Sequence, residues 1–212
     1  SDVISNVNLD VSPGQMVAFV GPNNSGKSVL LMLAAGILNP SEGEVLLDGR
    51  PLGTYGSSAL RRHVAFLPQH EVMFTGTILE NITMFRSHLE PLAREAARMM
   101  ELDEVIDAMP KGYDTRIGDG PQDSLSRGLA QRVAITRALV EQPKVLLFDE
   151  ANSAVDFRGD ASIRNILKQL HGHCTVLLVS HRPSILNEAD RVIHIEDGRL
   201  EEDEPEMAAD HG

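Results

Sequence analysis

The chain has 212 residues, 42% of them hydrophobic and 24% charged, which suits a globular domain with a buried core and excludes wholesale disorder. Its net charge is −12, and half of that lies in residues 201–212, which hold six acids and no Lys or Arg. An acidic body without a Lys/Arg-rich run argues against a nucleic-acid partner, since phosphate binding needs cations to displace counterions. No apolar run approaches the roughly 18 residues of a membrane-spanning helix. The single cysteine, Cys174, rules out an internal disulfide framework and fits a reducing compartment. The chain starts at Ser1 with no basic-then-apolar leader and reads as a piece of something longer.

In chain order, Val7, Leu9 and Val11 alternate with polar residues, as in a half-buried strand, and Pro13-Gly14 ends the segment. Met16–Val20 is a strand-sized apolar run that stops at a glycine. A Gly/Asn/Ser loop follows, then an apolar stretch of helical length, Val29–Leu38. Short strands are expected at Glu44–Leu47 and His63–Leu67, with a turn at Asp48-Gly49. Residues 78 to 110 carry a helical pattern that ends at Pro110-Lys111-Gly112. A long amphipathic helix over Ser126–Glu141 leads into the buried-type strand Lys144–Phe148. Helix Phe157–His171, strand Thr175–Val179, a short helix after Pro183 and strand Arg191–Glu196 complete the alternation. The pattern implies an α/β fold, doubly wound around a mostly parallel sheet, with an N-terminal antiparallel β part and an inserted helical subdomain. One domain spans residues 1–200, with its core at 1–77 and 142–200 and the helical subdomain at 78–141. Residues 201–212 read as a frayed acidic tail.

Two segments carry chemistry. Gly21-Pro22-Asn23-Asn24-Ser25-Gly26-Lys27-Ser28 fits G-x-x-x-x-G-K-[ST] between a predicted strand and a predicted helix, where backbone N–H groups and the helix's positive end can cradle a phosphate. Lys27 adds a point charge toward the β/γ oxygens, and the Ser28 hydroxyl suits Mg2+. Val145-Leu146-Leu147-Phe148 forms a buried strand, so Asp149 emerges at its carboxyl end, where doubly wound sheets bind ligands. Asp149 can share the metal with Ser28, and Glu150 is placed to activate a water against the γ-phosphate. No Asn-Lys-x-Asp segment is present to read guanine.

Further motifs follow in order: Gln69 after a strand, Leu125-Ser126-Arg127-Gly128 before a helix, Ser153-Ala154-Val155-Asp156 after Glu150, and Ser180-His181-Arg182 after a strand. With the two phosphate motifs, they resemble the ATP-binding cassette (ABC) ATPases over about residues 3–200. Phe74–Ile82 and Gly112–Asp119 are similar to stretches of exporter cassettes, of the bacterial toxin or peptide secretion kind, and the resemblance puts the second near the coupling helices of a membrane domain. It implies ATP and Mg2+ as ligands, with Gln69 helping hold the metal and the attacking water. It also implies that His181 bonds the γ-phosphate, Asp156 lies at a dimer seam, and Ser126 and Gly128 face the ATP of a second cassette, identical or not. The implied setting is the cytoplasmic face of a membrane, in bacteria the inner one, with a transmembrane domain in the same full-length chain.

The segment departs from that pattern at three places. Arg127 and Leu129 stand where the family has Gly and Gln, the Gln usually reaching toward the ribose. Because Glu150 and His181 are intact, a competent ATPase is expected; the other reading is a degenerate cassette that binds ATP with little hydrolysis. No aromatic residue precedes Phe19 to stack on adenine, so that residue is expected upstream of Ser1, and this chain alone should bind ATP about tenfold more weakly than a longer one. Ala151 and Asn152 replace the usual Pro and Ser/Thr, an exchange expected to affect loop shape only. His171-Gly172-His173-Cys174 fits a polar loop before a core strand better than a metal corner, and Met99-Met100 fits helical packing.

Overall fold

In the computed structural model, which describes residues 3–70, 72–118, 125–149 and 157–202, strand β1 (Met16–Val20) is buried along its whole length. Five apolar residues in a row leave neither face fit for water, so the strand takes the middle of a sheet covered on both sides. The sheet has six strands in the order β10-β9-β1-β8-β7-β4. β4 (Val64–Leu67), β7 (Val145–Asp149), β8 (Thr175–Val179) and β9 (Arg191–Glu196) run parallel to β1, and β10 (Arg199–Glu202) closes one edge antiparallel to β9. Side chains alternate between two cores, as strand periodicity requires. Val17, Phe19, Leu147 and Val179 pack on the face of α1 (Lys27–Ala34), which contributes Leu31. Met16, Ala18, Leu146 and Leu178 pack on the other face, with Ile163, Ile166 and Leu167 of α7 (Phe157–Leu170).

That second core is continuous with the helical subdomain. The single helical pattern expected over 78–110 is three helices: α3 (Ile78–Thr83), α4 (Glu90–Met99) and α5 (Asp103–Asp107). Left-handed backbone at Met84 and Phe85, and again at Glu101, breaks it. They pack beside α6 (Arg127–Leu139) through Ile82, Ala93, Ala97, Leu102, Ile106 and Val133. Met100 is buried there, whereas Met99 is partly exposed. The two exporter-like stretches are joined in space: β5 (Gly76–Thr77) pairs antiparallel with β6 (Arg116–Ile117).

Three expectations need correction, and a fourth is met. Val7–Val11 keeps its alternating exposure but forms no strand ladder; Ser5 N–H donates to Gly198 O and Arg191 Nη1 to Asp10 O instead. The expected antiparallel part near the N-terminus is present as the hairpin β2 (Leu46–Leu47) and β3 (Arg50–Pro51), joined by the expected Asp48-Gly49 turn, in which both φ values are positive. A helix the pattern did not announce, α2 (Ser57–His63), precedes β4. Finally, Glu201 and Glu202 belong to β10 rather than to a frayed tail, and Glu202 holds Arg191 at 2.6 and 2.9 Å. Residues 203–212 lie outside the described residues.

Candidate functional site

Parallel strands put all their carboxyl ends on one edge, and register fixes how closely they align. Phe19 is level with Val179, Val179 with Asp149, and Phe148 with Leu67. The loop that leaves β1, His181 two residues past β8, Asp149 at the end of β7 and Gln69 two residues past β4 therefore share that edge. His181 and Gln69 are both exposed there.

The loop Gly21–Ser28 is folded tightly because two glycines permit it. Gly21 has φ +144, and a Cβ there would stand 2.2 Å from Ile195 O. Gly26, at φ +102, would set a Cβ 2.3 Å from Ile4 Cγ2, so the N-terminal segment also depends on that glycine. Asn24 is left-handed as well, which asparagine tolerates. Asn23 and Asn24 are exposed and Ser25 is buried. Lys27 is only 6% exposed, and its Nζ donates to Gly21 O at 2.9 Å and Pro22 O at 2.6 Å. A buried ammonium surrounded by loop carbonyls, at the start of a helix with no acid in its first turn, makes an anion cradle.

Next to it, Ser28 Oγ donates to Asp149 Oδ1 at 3.1 Å. Asp149 is 4% exposed at the end of its apolar strand. Two hard oxygen donors held side by side beneath a phosphate cradle fit a Mg2+ ion, which prefers a carboxylate, a hydroxyl and phosphate oxygens. Glu150 and Asp156 lie outside the described residues.

The signature residues are on a different element. Ser126 caps α6, its Oγ accepting from Leu129 N–H at 3.4 Å, and Ser126 and Arg127 are exposed. A Cβ at Gly128 would meet nothing within 4 Å. Leu129, by contrast, is 7% exposed and belongs to the core under the helical subdomain. Its side chain is therefore a packing residue of that core, where the family has a polar glutamine. Phe19 is fully buried and offers no face to a base, and the Tyr55 hydroxyl donates to Leu47 O at 2.7 Å. The His171–Cys174 corner diverges: His171 Nε2 pairs with Asp190 at 2.8 Å, while Cys174 turns into the core, where burial pushes its thiol up to about 11.

Sequence reasoning missed the bracket behind Gln69. Arg137 of α6 donates through Nε to Asn81 O and through Nη1 to Val72 O, both at 2.8 Å. Asn81, fully buried, exchanges bonds with both backbone groups of Phe74. Burial lowers the Arg137 pKa from its usual value. These contacts fasten residues 72–81 to the helix that carries Ser126. An Asn inside an apolar helical run was the one available signal.

A glycine loop around a buried lysine, followed by a helix whose first serine meets a strand-end aspartate, defines a P-loop nucleoside triphosphatase. The comparisons with known proteins are narrower. The model of the ABC transporter family matches residues 4–153, so the chain belongs to that family, as one of its ATP-binding cassette ATPase domains. It is 36% identical over 203 residues to an ATP-dependent lipid A-core flippase of Cupriavidus metallidurans, covering 94% of this chain and 34% of that protein. It is 39% identical over 201 residues to the type I secretion system ATP-binding protein PrsD of Rhizobium meliloti, covering 94% and 34%. Among solved structures it is similar to a bacterial Atm1-family ABC exporter with ATP bound, at a TM-score of 0.85 and 34% identity, over 93% of this chain and 35% of that one. The chain thus spans about a third of the length of the curated relatives it matches. No helix among the described residues is long and apolar enough to cross a membrane.

Proposed function

We propose that the chain is the ATP-hydrolysing engine of an exporter, working as one of two cassettes beneath a membrane-embedded portion. The observation that carries this is the shared edge of the sheet, where Lys27, the Ser28–Asp149 pair, His181 and Gln69 converge. Lys27 exchanges its loop carbonyls for phosphate oxygens, and the loop amides with the start of α1 take the remaining negative charge. Ser28, Asp149 and Gln69 would hold Mg2+, which when bound neutralises charge on the β- and γ-oxygens. Glu150, next after Asp149, orients and deprotonates the attacking water, and His181 bonds the γ-phosphate.

The Ser126–Gly128 edge, exposed at Ser126 and Arg127, serves a second copy rather than its own loop: amides at the start of a thirteen-residue helix meet the partner's triphosphate, and Asp156 lies at the seam between copies. ATP closes the pair and hydrolysis opens it. A cleft of about 880 Å³ between α1, α2 and β4 on one side and α3 and α6 on the other is the face we assign to the membrane-embedded portion, and the cassette is taken to work on the cytoplasmic side, where ATP is supplied.

The test is ATP turnover by the purified chain. Lys27→Ala should abolish nucleotide binding. Glu150→Gln should keep binding, abolish turnover and trap a dimer with ATP that sedimentation can detect. Turnover that survives both substitutions would overturn the assignment.

A further inference from the structure

Gln69 stands on a short span of chain between two anchors. The upstream anchor is the sheet itself, where Leu67 is level with Phe148. Among the described residues from Pro68 to Thr75 none belongs to a helix or strand, so the downstream anchor is built from side-chain bonds. Arg137 supplies both of its parts. Its Nη1 donates to Val72 O at 2.8 Å, and its Nη2 donates to Asn81 Oδ1 at 3.1 Å. That same oxygen accepts from Phe74 N–H at 2.8 Å. Nε meanwhile closes the end of α3 through Asn81 O, and the guanidinium carbon lies 5.3 Å from the centre of the Phe74 ring. One planar fork thus reaches two separate stretches of chain, which the single ammonium of a lysine cannot match.

The chemistry of these bonds favours position over stability. Arg137 donates to carbonyl, amide and thioether acceptors and to no carboxylate. Glu141, one turn along α6, is engaged by Arg86 at 2.7 Å instead. A largely buried cation bonded only to neutral acceptors gains little net stability, because desolvation offsets much of what the bonds return. What it fixes is geometry: residues 72–74 are set against α6, whose Val133 and Leu139 are locked in the core.

Resting on the role given to Gln69 above, we propose that Arg137 is a positioning residue for hydrolysis, setting through Val72 and Asn81 how far Gln69 reaches toward the γ-phosphate end of the site. Without this clamp Gln69 rides on a longer free span and is misplaced. The phosphate loop leaves β1, which does not adjoin β4 in the sheet, so nucleotide binding is spared.

In the purified chain, Arg137→Met should lower kcat for ATP roughly ten- to hundredfold. Its dissociation constant for ATP, measured without Mg2+, should stay within about twofold of the parent. Arg137→Lys keeps the charge but not the fork, and its kcat should fall between the two. Hydrogen exchange read by mass spectrometry should quicken in the peptide spanning residues 68–77 and not in that spanning 21–28. A double-mutant cycle with Gln69→Ala separates positioning from general loosening. Because Arg137 acts through Gln69, the double variant should turn over within about twofold of Gln69→Ala alone. Should Arg137→Met fail to fold, the same cycle is run on Arg137→Lys. Losses that multiply, unchanged kcat, unchanged exchange over 68–77, or ATP affinity that falls as far as kcat overturns the proposal. Multiplied losses remove the role of Arg137 alone. Gln69→Ala with undiminished turnover removes the role of Gln69, and that of Arg137 with it.

Discussion

Arg127 and Leu129 break the signature segment in physically different ways. Leu129 is packed inward among apolar side chains, so restoring the family's glutamine would bury an amide and remove a well-packed side chain. Leu129→Gln should therefore cost on the order of 2–4 kcal/mol and lower the Tm by about 5–15 °C, without raising turnover. Arg127 is exposed at the start of α6, where no acid stands in the first turn and the neighbouring Gly128 has open space. Its guanidinium has room beside an incoming phosphate, so the departure does not imply a crippled site. ATP turnover of Arg127→Gly should stay within about threefold of the parent, a difference under 1 kcal/mol in the barrier. A rise of an order of magnitude or more would instead favour the hydrolysis-poor reading. Sequence made the Leu129 exchange visible but not its direction, because helical facing depends on where α6 meets β4.

Elements were legible where burial is uniform. β1 is an unbroken apolar run and β7 and β8 each hold four consecutive apolar residues, and each strand lies within a residue of its expected bounds. α6 and α7 were equally plain, each bounded by a cap or a turn. The failures have local causes. Left-handed Met84 and Phe85 break the helical pattern ahead of Pro91, a helix-start signal in the first turn of α4 that went unread, and left-handed Glu101 breaks it again with no Gly or Pro beside it. Val7–Val11 has strand periodicity but lies where no neighbouring strand edge takes its hydrogen bonds. The start of α3 illustrates a signal that was present: Thr77 and Glu80 form a reciprocal capping box, Thr77 Oγ1 accepting from Glu80 N–H at 3.0 Å and Glu80 Oε2 from Thr77 N–H at 2.7 Å. Thr77→Ala should cost about 1 kcal/mol. That corresponds to a fall in Tm of about 2–4 °C, measurable by circular dichroism. Because α3 carries Asn81, and Asn81 anchors the segment behind Gln69, the same variant should lower turnover more than nucleotide affinity.

At the scale of the whole molecule, the edge of the sheet opposite the nucleotide is held by one carboxylate. Asp190, just before β9, accepts from Met16 N–H at 2.7 Å through Oδ2 and pairs with His171 at 2.8 Å through Oδ1. It thereby ties the first residue of the central strand to the turn after α7, and the Asp190 N–H donates in turn to Met16 O. Burial alone would raise this carboxyl's pKa, but the Met16 amide and the His171 ring outweigh that and hold it below the usual value. The sign follows from linkage: the unfolded chain binds the proton more readily, so stability rises with pH across the window where the two states differ. The contribution is fully present above about pH 4 and disappears as pH falls through the lower folded value. In thermal melts, Asp190→Asn should be less stable than the parent at neutral pH. That difference should narrow as the solution is taken below about pH 4, since the parent's carboxyl is then neutral too. A gap that stays constant into that range would show that the carboxylate's charge contributes nothing and that hydrogen-bond geometry alone fixes this edge.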